Sequence, residues 1–153
     1  LHTTLSRLAR AGLLFRLQNG LYSIKPLHEL NPLLIGSKVI HGFCYVSTET
    51  VLLRVGIIQQ QVPYTTLVST LSRQFTLAGH HFRSRRLKDQ YLFNEAGVES
   101  KGGVRIASPA RAIADMLYFN PKYHFDASVH IDWSAVNRLQ RNIGYPLTHH
   151  KNV

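Results

Sequence analysis

The chain has 153 residues, enough for one domain or two small ones sharing a boundary. Its 44% hydrophobic and 17% charged residues exclude a disordered chain and allow a real core. Eighteen Lys and Arg against eight Asp and Glu give a formal net charge of +10, which calls for a polyanionic partner, nucleic acid first among them.

Thr3 or Thr4 is placed to cap a first helix, with Leu5, Leu8 and Ala9 on one face and Ser6, Arg7, Arg10 and Ala11 on the other; Gly12 ends it in a left-handed conformation. Asn19-Gly20 predicts a two-residue type I′ hairpin, whose central residues both need positive φ. That turn pairs Gln18 with Leu21, Leu17 with Tyr22, Arg16 with Ser23 and Phe15 with Ile24. Phe15, Leu17, Tyr22 and Ile24 then face inward, and Arg16, Gln18, Ser23 and Lys25 outward. Asn31 caps and Pro32 opens a helix that runs through Ile40 and stops before Gly42. Ser47 caps the next helix, with Glu49 in its first turn, Val51, Leu52 and Val55 inward, and Gly56 as the stop.

From Thr65 the pattern turns to β: short strands over 65–71, 74–78 and 80–86 are broken at Ser72-Arg73 and Gly79. Residues 89–103 read as loop, and 104–107 as another strand. Ser108 and Pro109 start the clearest helix, with Ala110, Ile113, Ala114, Leu117 and Tyr118 as its apolar stripe. A last helix starts at Ser134, buries Val136, Leu139 and Ile143, and ends at Gly144 before a frayed tail.

Several whole classes are excluded. No apolar run nears the roughly 18–20 residues of a membrane span. No helix sets bulky apolar residues opposite the dense basic face that an anionic membrane surface requires, and no charged-then-apolar signal segment is evident. The single cysteine, Cys44, excludes an internal disulfide and a Cys-based zinc site. Together these point to a soluble, cytoplasmic protein with no membrane partner.

A short helix directly followed by an antiparallel hairpin is the second half of a winged helix, whose recognition helix enters the major groove while the wing grips the flanking backbone. Arg7 and Arg10 suit bidentate contacts to guanine edges, and Thr3, Thr4 and Ser6 suit phosphates or bases. Arg16, Gln18, Asn19 and Lys25 supply phosphate contacts from the wing. The same pattern describes an ordinary solvated helix and hairpin, and the +10 charge tips the reading toward DNA.

A second basic run crowds His80, His81, Arg83, Arg85, Arg86 and Lys88 into nine residues. Alternation puts Arg83 and Arg85 on one strand face and Arg86 on the other. The run reads equally as a second phosphate-contacting surface or as an edge strand guarded by charge.

Asp89, Glu99 and Lys101 match the bare spacing of a Mg²⁺-dependent nuclease, but they fall in a glycine-rich loop rather than on adjacent core strands. The pair His80-His81 points to opposite faces, and His149-His150 stand in a tail without Cys or acidic partners, so no metal site is expected. No catalytic set and no cofactor follow either. Arg111 and Asp115, four residues apart, read as a surface ion pair on the exposed side of their helix.

Three stretches, in order, resemble the AbiEi-type antitoxins and related regulators of type IV toxin–antitoxin (abortive infection) systems. "LSRLARAGLLFRLQNGLYSI" resembles the family's recognition helix and wing. "NPLLIGSKVIHGFCYVSTETVLLRVGII" resembles the helices that follow, and "VRIASPARAIADMLYFNPKY" the helix that closes the β-rich segment. The likeness spans Thr3 to about Tyr145.

The resemblance implies an α+β fold: the C-terminal part of a winged helix-turn-helix over 1–26, then a small mixed α/β antitoxin-like domain over 27–153. It implies an autorepressor of an inverted-repeat operator in double-stranded DNA, paired with a nucleotidyltransferase toxin without a stable complex. It also implies that basic residues of the second domain assist on DNA, and that Arg111 and Asp115 belong to the family's motif in a scaffold role. The family has two further helices before the recognition helix. This chain starts without Met, inside a helical pattern, and reads as truncated there. The alternatives are the nuclease, a stand-alone regulator without a toxin, and an interaction module that neutralises a toxin without DNA.

Overall fold

The computed structural model describes residues 2–148: an α+β arrangement of six α-helices, a two-stranded hairpin and a six-stranded mixed sheet. Among the described residues no side chain before Leu33 is buried, and the core runs from there to Tyr145. No helix among them is long and apolar enough to cross a membrane.

Helix α1 (His2–Arg10) contains Thr3 and Thr4, so neither is its cap. Its C-terminus is as expected. Gly12 takes φ 74°, its N–H bonds the Ala9 carbonyl at 3.1 Å, and the Leu13 N–H bonds the Leu8 carbonyl at 3.0 Å. Strands β1 (Phe15–Gln18) and β2 (Leu21–Ser23) form the hairpin, but not in the expected register.

Gln18 does pair with Leu21, yet Leu17 is bulged, so Arg16 pairs with Tyr22 and Phe15 with Ser23. The reason lies in the turn: only Gly20 takes positive φ, whereas a type I′ turn needs it at Asn19 too. Asn19 instead accepts a hydrogen bond from the Arg16 guanidinium. One extra residue on β1 breaks the alternation beyond the bulge. Ile24, expected inward, is 80% exposed, and Gln18 and Ser23, expected outward, are half-buried.

Helix α2 (Pro32–Val39) starts as read, with the Asn31 side chain accepting from the Leu33 N–H. Strand β3 (Tyr45–Val46) follows and leads into α3 (Glu49–Arg54). Ser47 does not cap α3: the boundary residue is Thr48, at φ 51°, and it makes no side-chain cap. Val55, expected inward, is exposed.

Strands β4 (Thr65–Ser69), β5 (Arg73–Leu77) and β6 (His80–Arg86) form in the expected order, but β4 stops two residues short, Arg73 belongs to β5 rather than to the break, and Ala78 lies in the turn. The 89–103 loop is overturned: it holds α4 (Asp89–Leu92) and β7 (Val98–Lys101), which pairs antiparallel with β8 (Val104–Ala107). Three of the four β7 residues are exposed, so they lack the apolar alternation that reveals a strand. Helix α5 (Pro109–Phe119) has its Ser108 cap, and α6 (Trp133–Ile143), capped by Asp132, begins one residue ahead of the expected start at Ser134. Leu139 of α6 is half-buried rather than buried. His149 and His150 lie outside the described residues; ahead of them, Thr148 accepts a hydrogen bond from Gln140 at 2.9 Å.

The sheet order is β5-β6-β4-β3-β8-β7, with β4–β6 and β3–β8 parallel and the other pairs antiparallel. Tyr45, Val68 and Arg85 form one row across it, and Val46, Leu67 and Ser84 the next. The second row faces α2, where Gly36 lies so close that an added Cβ would meet the Phe82 ring at 2.6 Å. The first row faces α3 and α5, and α6 packs on α5. The mixed sheet is thus covered on both faces, as parallel strands require.

Candidate nucleic-acid interface

The N-terminal unit is the most one-sided in charge. Residues 1–28 carry Arg7, Arg10, Arg16 and Lys25 and no Asp or Glu. Thr3, Arg7 and Arg10 fall at i, i+4 and i+7 on α1, so they share one helix face, and all three are exposed. Thr4 is exposed too, and Ser6 is half-buried. Arg16 and Asn19 on the hairpin, and Lys25 just after it, are exposed. The Arg16–Asn19 hydrogen bond ties the guanidinium to the turn, and the Lys25 N–H bonds the Ser23 hydroxyl at 2.9 Å, shaping the chain after β2.

The second basic run is divided by the fold. Strand β6 lies between β4 and β5, so its charge does not guard a sheet edge. Arg85 turns toward α3 and α5, where it pairs with Glu49 and lies over the Phe119 ring, 5.3 Å from its centroid. It is a packing residue. Arg83 is half-buried and lines, with Ser72, Arg73, Gln74, Ser84 and Arg85 itself, a cavity of about 290 Å³ at β5 and β6. Arg86 and Lys88 are exposed.

The nuclease triplet is dispersed over two elements. Glu99 and Lys101 sit on the outermost strand β7, pair with each other at 3.7 Å and are largely exposed, whereas Asp89 opens α4. Among the described residues, no three His, Cys, Asp or Glu side chains are grouped to hold a metal ion.

The largest polar assembly is interior. Arg111 and Asp115, expected at the surface, are both fully buried. The Asp115 carboxylate accepts from Arg111 Nε at 3.0 Å, Tyr45 at 3.0 Å, Ser47 at 2.8 Å and Tyr145 at 2.6 Å. Arg111 also donates to the carbonyls of Asn94 and Ala96 at 2.7 Å, Tyr91 at 3.2 Å, and the Tyr45 hydroxyl at 2.9 Å. All five guanidinium N–H groups are used.

A buried charge survives only when it is paired and hydrogen-bonded, and this one is both. Burial pulls the Arg111 pKa down, but Asp115, Tyr45 and Tyr145 more than offset it, so the pKa ends above the ordinary value. Burial, then the Asp115 charge, push Tyr45 and Tyr145 well above the usual phenol range. An i, i+4 ion pair has the same spacing on an outer or inner helix face. Here the full burial of residues 111–117 decides it.

Thr48 adds a feature that sequence reading missed. It is β-branched, fully buried, at φ 51° and ψ −128°, and its hydroxyl has no hydrogen-bond partner. Positive φ at such a residue is an outlier that its surroundings must impose. Its carbonyl accepts from the Val51 and Leu52 N–H groups, which fixes the sharp entry from β3 into α3.

No family model matches this chain, and no curated protein matches it.

Proposed function

We propose that this protein is a cytoplasmic DNA-binding transcriptional regulator of the AbiEi antitoxin type. It represses its own operator, an inverted repeat, and its functional partner is a nucleotidyltransferase toxin that it does not bind stably. The supporting observation is the carboxylate-free N-terminal unit, in which Arg7 and Arg10 share an exposed helix face directly ahead of a hairpin carrying Arg16 and Asn19 outward, with Lys25 exposed just after it.

In this reading α1 is the recognition helix of a winged helix and β1–β2 its wing. Arg7 and Arg10 contact base edges, Thr3, Thr4 and Ser6 contact bases or phosphates, and Arg16, Asn19 and Lys25 hold the backbone. Gln18, half-buried beside the bulge, contributes less than its neighbours. Arg83, Arg86 and Lys88 add phosphate contacts from the second unit, and Arg85 is spent on Glu49.

The test is anisotropy with the full-length protein and the duplex upstream of its own gene, at about 50 and about 200 mM salt. Replacing both Arg7 and Arg10 with Ala weakens binding by about tenfold or more. Equal affinity for the variant and the parent refutes the recognition-helix assignment. Co-expression with the neighbouring nucleotidyltransferase then tests the antitoxin role: rescue of growth supports it, and continued arrest refutes it.

A further inference from the structure

Where the chain leaves α2 and approaches β3, it faces the β7–β8 turn across a cavity of about 270 Å³. Lys38 comes from the last turn of α2, His41 and Gly42 from the loop after it, and Gly103 and Arg105 from the turn and β8. Its lining contains no carboxylate. The acid paired with Arg105, Glu95, lies 3.7 Å from it outside that lining. Both side chains are substantially exposed, so the pair is weak and exchangeable.

Two further features shape the site. Gly42 and Gly103 take φ 111° and 78°, so bare backbone forms two of its walls, and a Cβ on Gly42 would meet nothing within 4 Å. The buried Cys44 thiol forms part of the lining and is satisfied by the Ser37 carbonyl at 3.5 Å. Burial raises its pKa, and the charges of Arg105 and Lys38 pull the other way, so both cations act at this end of the cavity. Arg105 itself lies over the Phe43 ring at 4.5 Å. Phe43 in turn packs against Phe93, 5.6 Å away and 56% exposed.

A dianion is the ligand that matches two cations and an imidazole around an acid-free cavity, and the planar Arg fork suits phosphoryl oxygens. The volume falls just below the roughly 300–1,000 Å³ of sites that enclose a whole drug-sized ligand. It therefore takes a charged end group. We propose that this cavity binds the phosphoryl group of a small phosphate ester through Lys38, His41 and Arg105. If the ester is a mononucleotide, the exposed Phe93 supplies a stacking face for its base. The site belongs to the core unit and does not rest on the DNA-binding reading.

The experiment is an amide NMR titration of the whole chain with inorganic phosphate, with adenosine monophosphate and with a short DNA duplex. The proposal expects saturable shifts centred on Gly42 and Gly103. Lys38→Gln and Arg105→Gln should each weaken binding by about tenfold or more while core amides stay in place. Tighter binding of the nucleotide than of phosphate shows that the base is read as well, and equal binding shows that the phosphoryl group alone is read; both support a phosphoryl site. Absence of saturation, shifts centred elsewhere, or equal affinity in both variants overturns it. Shifts at Gly42 and Gly103 with the duplex alone also overturn it and assign the cavity to nucleic acid.

Discussion

Replacing Arg111 with Met keeps most of the side-chain bulk but deletes five donated hydrogen bonds at once. Asp115 is then a fully buried carboxylate facing three hydroxyls and no cation. Removing one partner of a buried ion pair costs about 3–5 kcal/mol. The carbonyls of the half-buried Tyr91, Asn94 and Ala96 lose their donor as well, and because water reaches them in part they add together about 1 kcal/mol or more. The expected loss is therefore at least about 4 kcal/mol, against a typical total of about 5–15 kcal/mol for a native protein.

Urea unfolding followed by Trp133 fluorescence reads this directly. With a slope near 2 kcal/mol per molar, the midpoint falls by about 2 M. Arg111→Lys keeps the charge but not the five-donor fork, so it falls between the parent and Met. The exposed pair Arg105–Glu95 serves as the control, and Arg105→Gln changes stability by less than about 1 kcal/mol. A loss below about 1 kcal/mol in Arg111→Met, or equal losses at Arg111 and Arg105, refutes the argument that this network pins α5 to its surroundings.

Three further outcomes follow from the same geometry. Ala78 sits at φ 52° beside Gly79 at φ 76° in the β5–β6 turn, a type I′ arrangement that costs Ala about 1–2 kcal/mol. Ala78→Gly, after its own unfolded-state entropy, raises stability by about 0.5–1 kcal/mol; a lower urea midpoint refutes the strain. Gly36→Ala gains helix propensity of about 1 kcal/mol, but its new methyl meets the buried Phe82 ring at 2.6 Å. Net destabilisation of about 1–2 kcal/mol is expected, and a stabilised variant in thermal melts refutes the contact. In alkali, the unfolded chain loses the Cys44, Tyr45 and Tyr145 protons near their ordinary values of 9.0 and 10.0, while the folded chain retains them. The folded state then binds more protons, so stability falls as pH rises past about 9, by about 1.4 kcal/mol per pH unit for each group in its window. Equal urea midpoints at about pH 8 and about pH 10.5 refute this linkage.

Local chemistry alone determines a good deal of this chain. Caps at Asn31 and Ser108, the end of α1 at Gly12, and the alternating strands from Thr65 to Arg86 all depend on a few neighbouring residues, and they form where the pattern puts them, to within two residues. The basic side chains are legible too, because charge is a property of composition. What lies inside, and against what, is decided by tertiary structure. Asn19-Gly20 favours a type I′ turn but forms a bulged hairpin, while Ala78-Gly79 is held in the type I′ form by a strand paired on both sides. Strand β7 shows no apolar alternation because it forms the outer edge of the sheet, and only pairing with β8 defines it. Arg111 and Asp115 have the spacing of a surface ion pair. Only the packing of β3, α4 and Tyr145 around α5 encloses them, since sequence spacing sets which residues share a helix face and long-range contacts decide whether that face meets water.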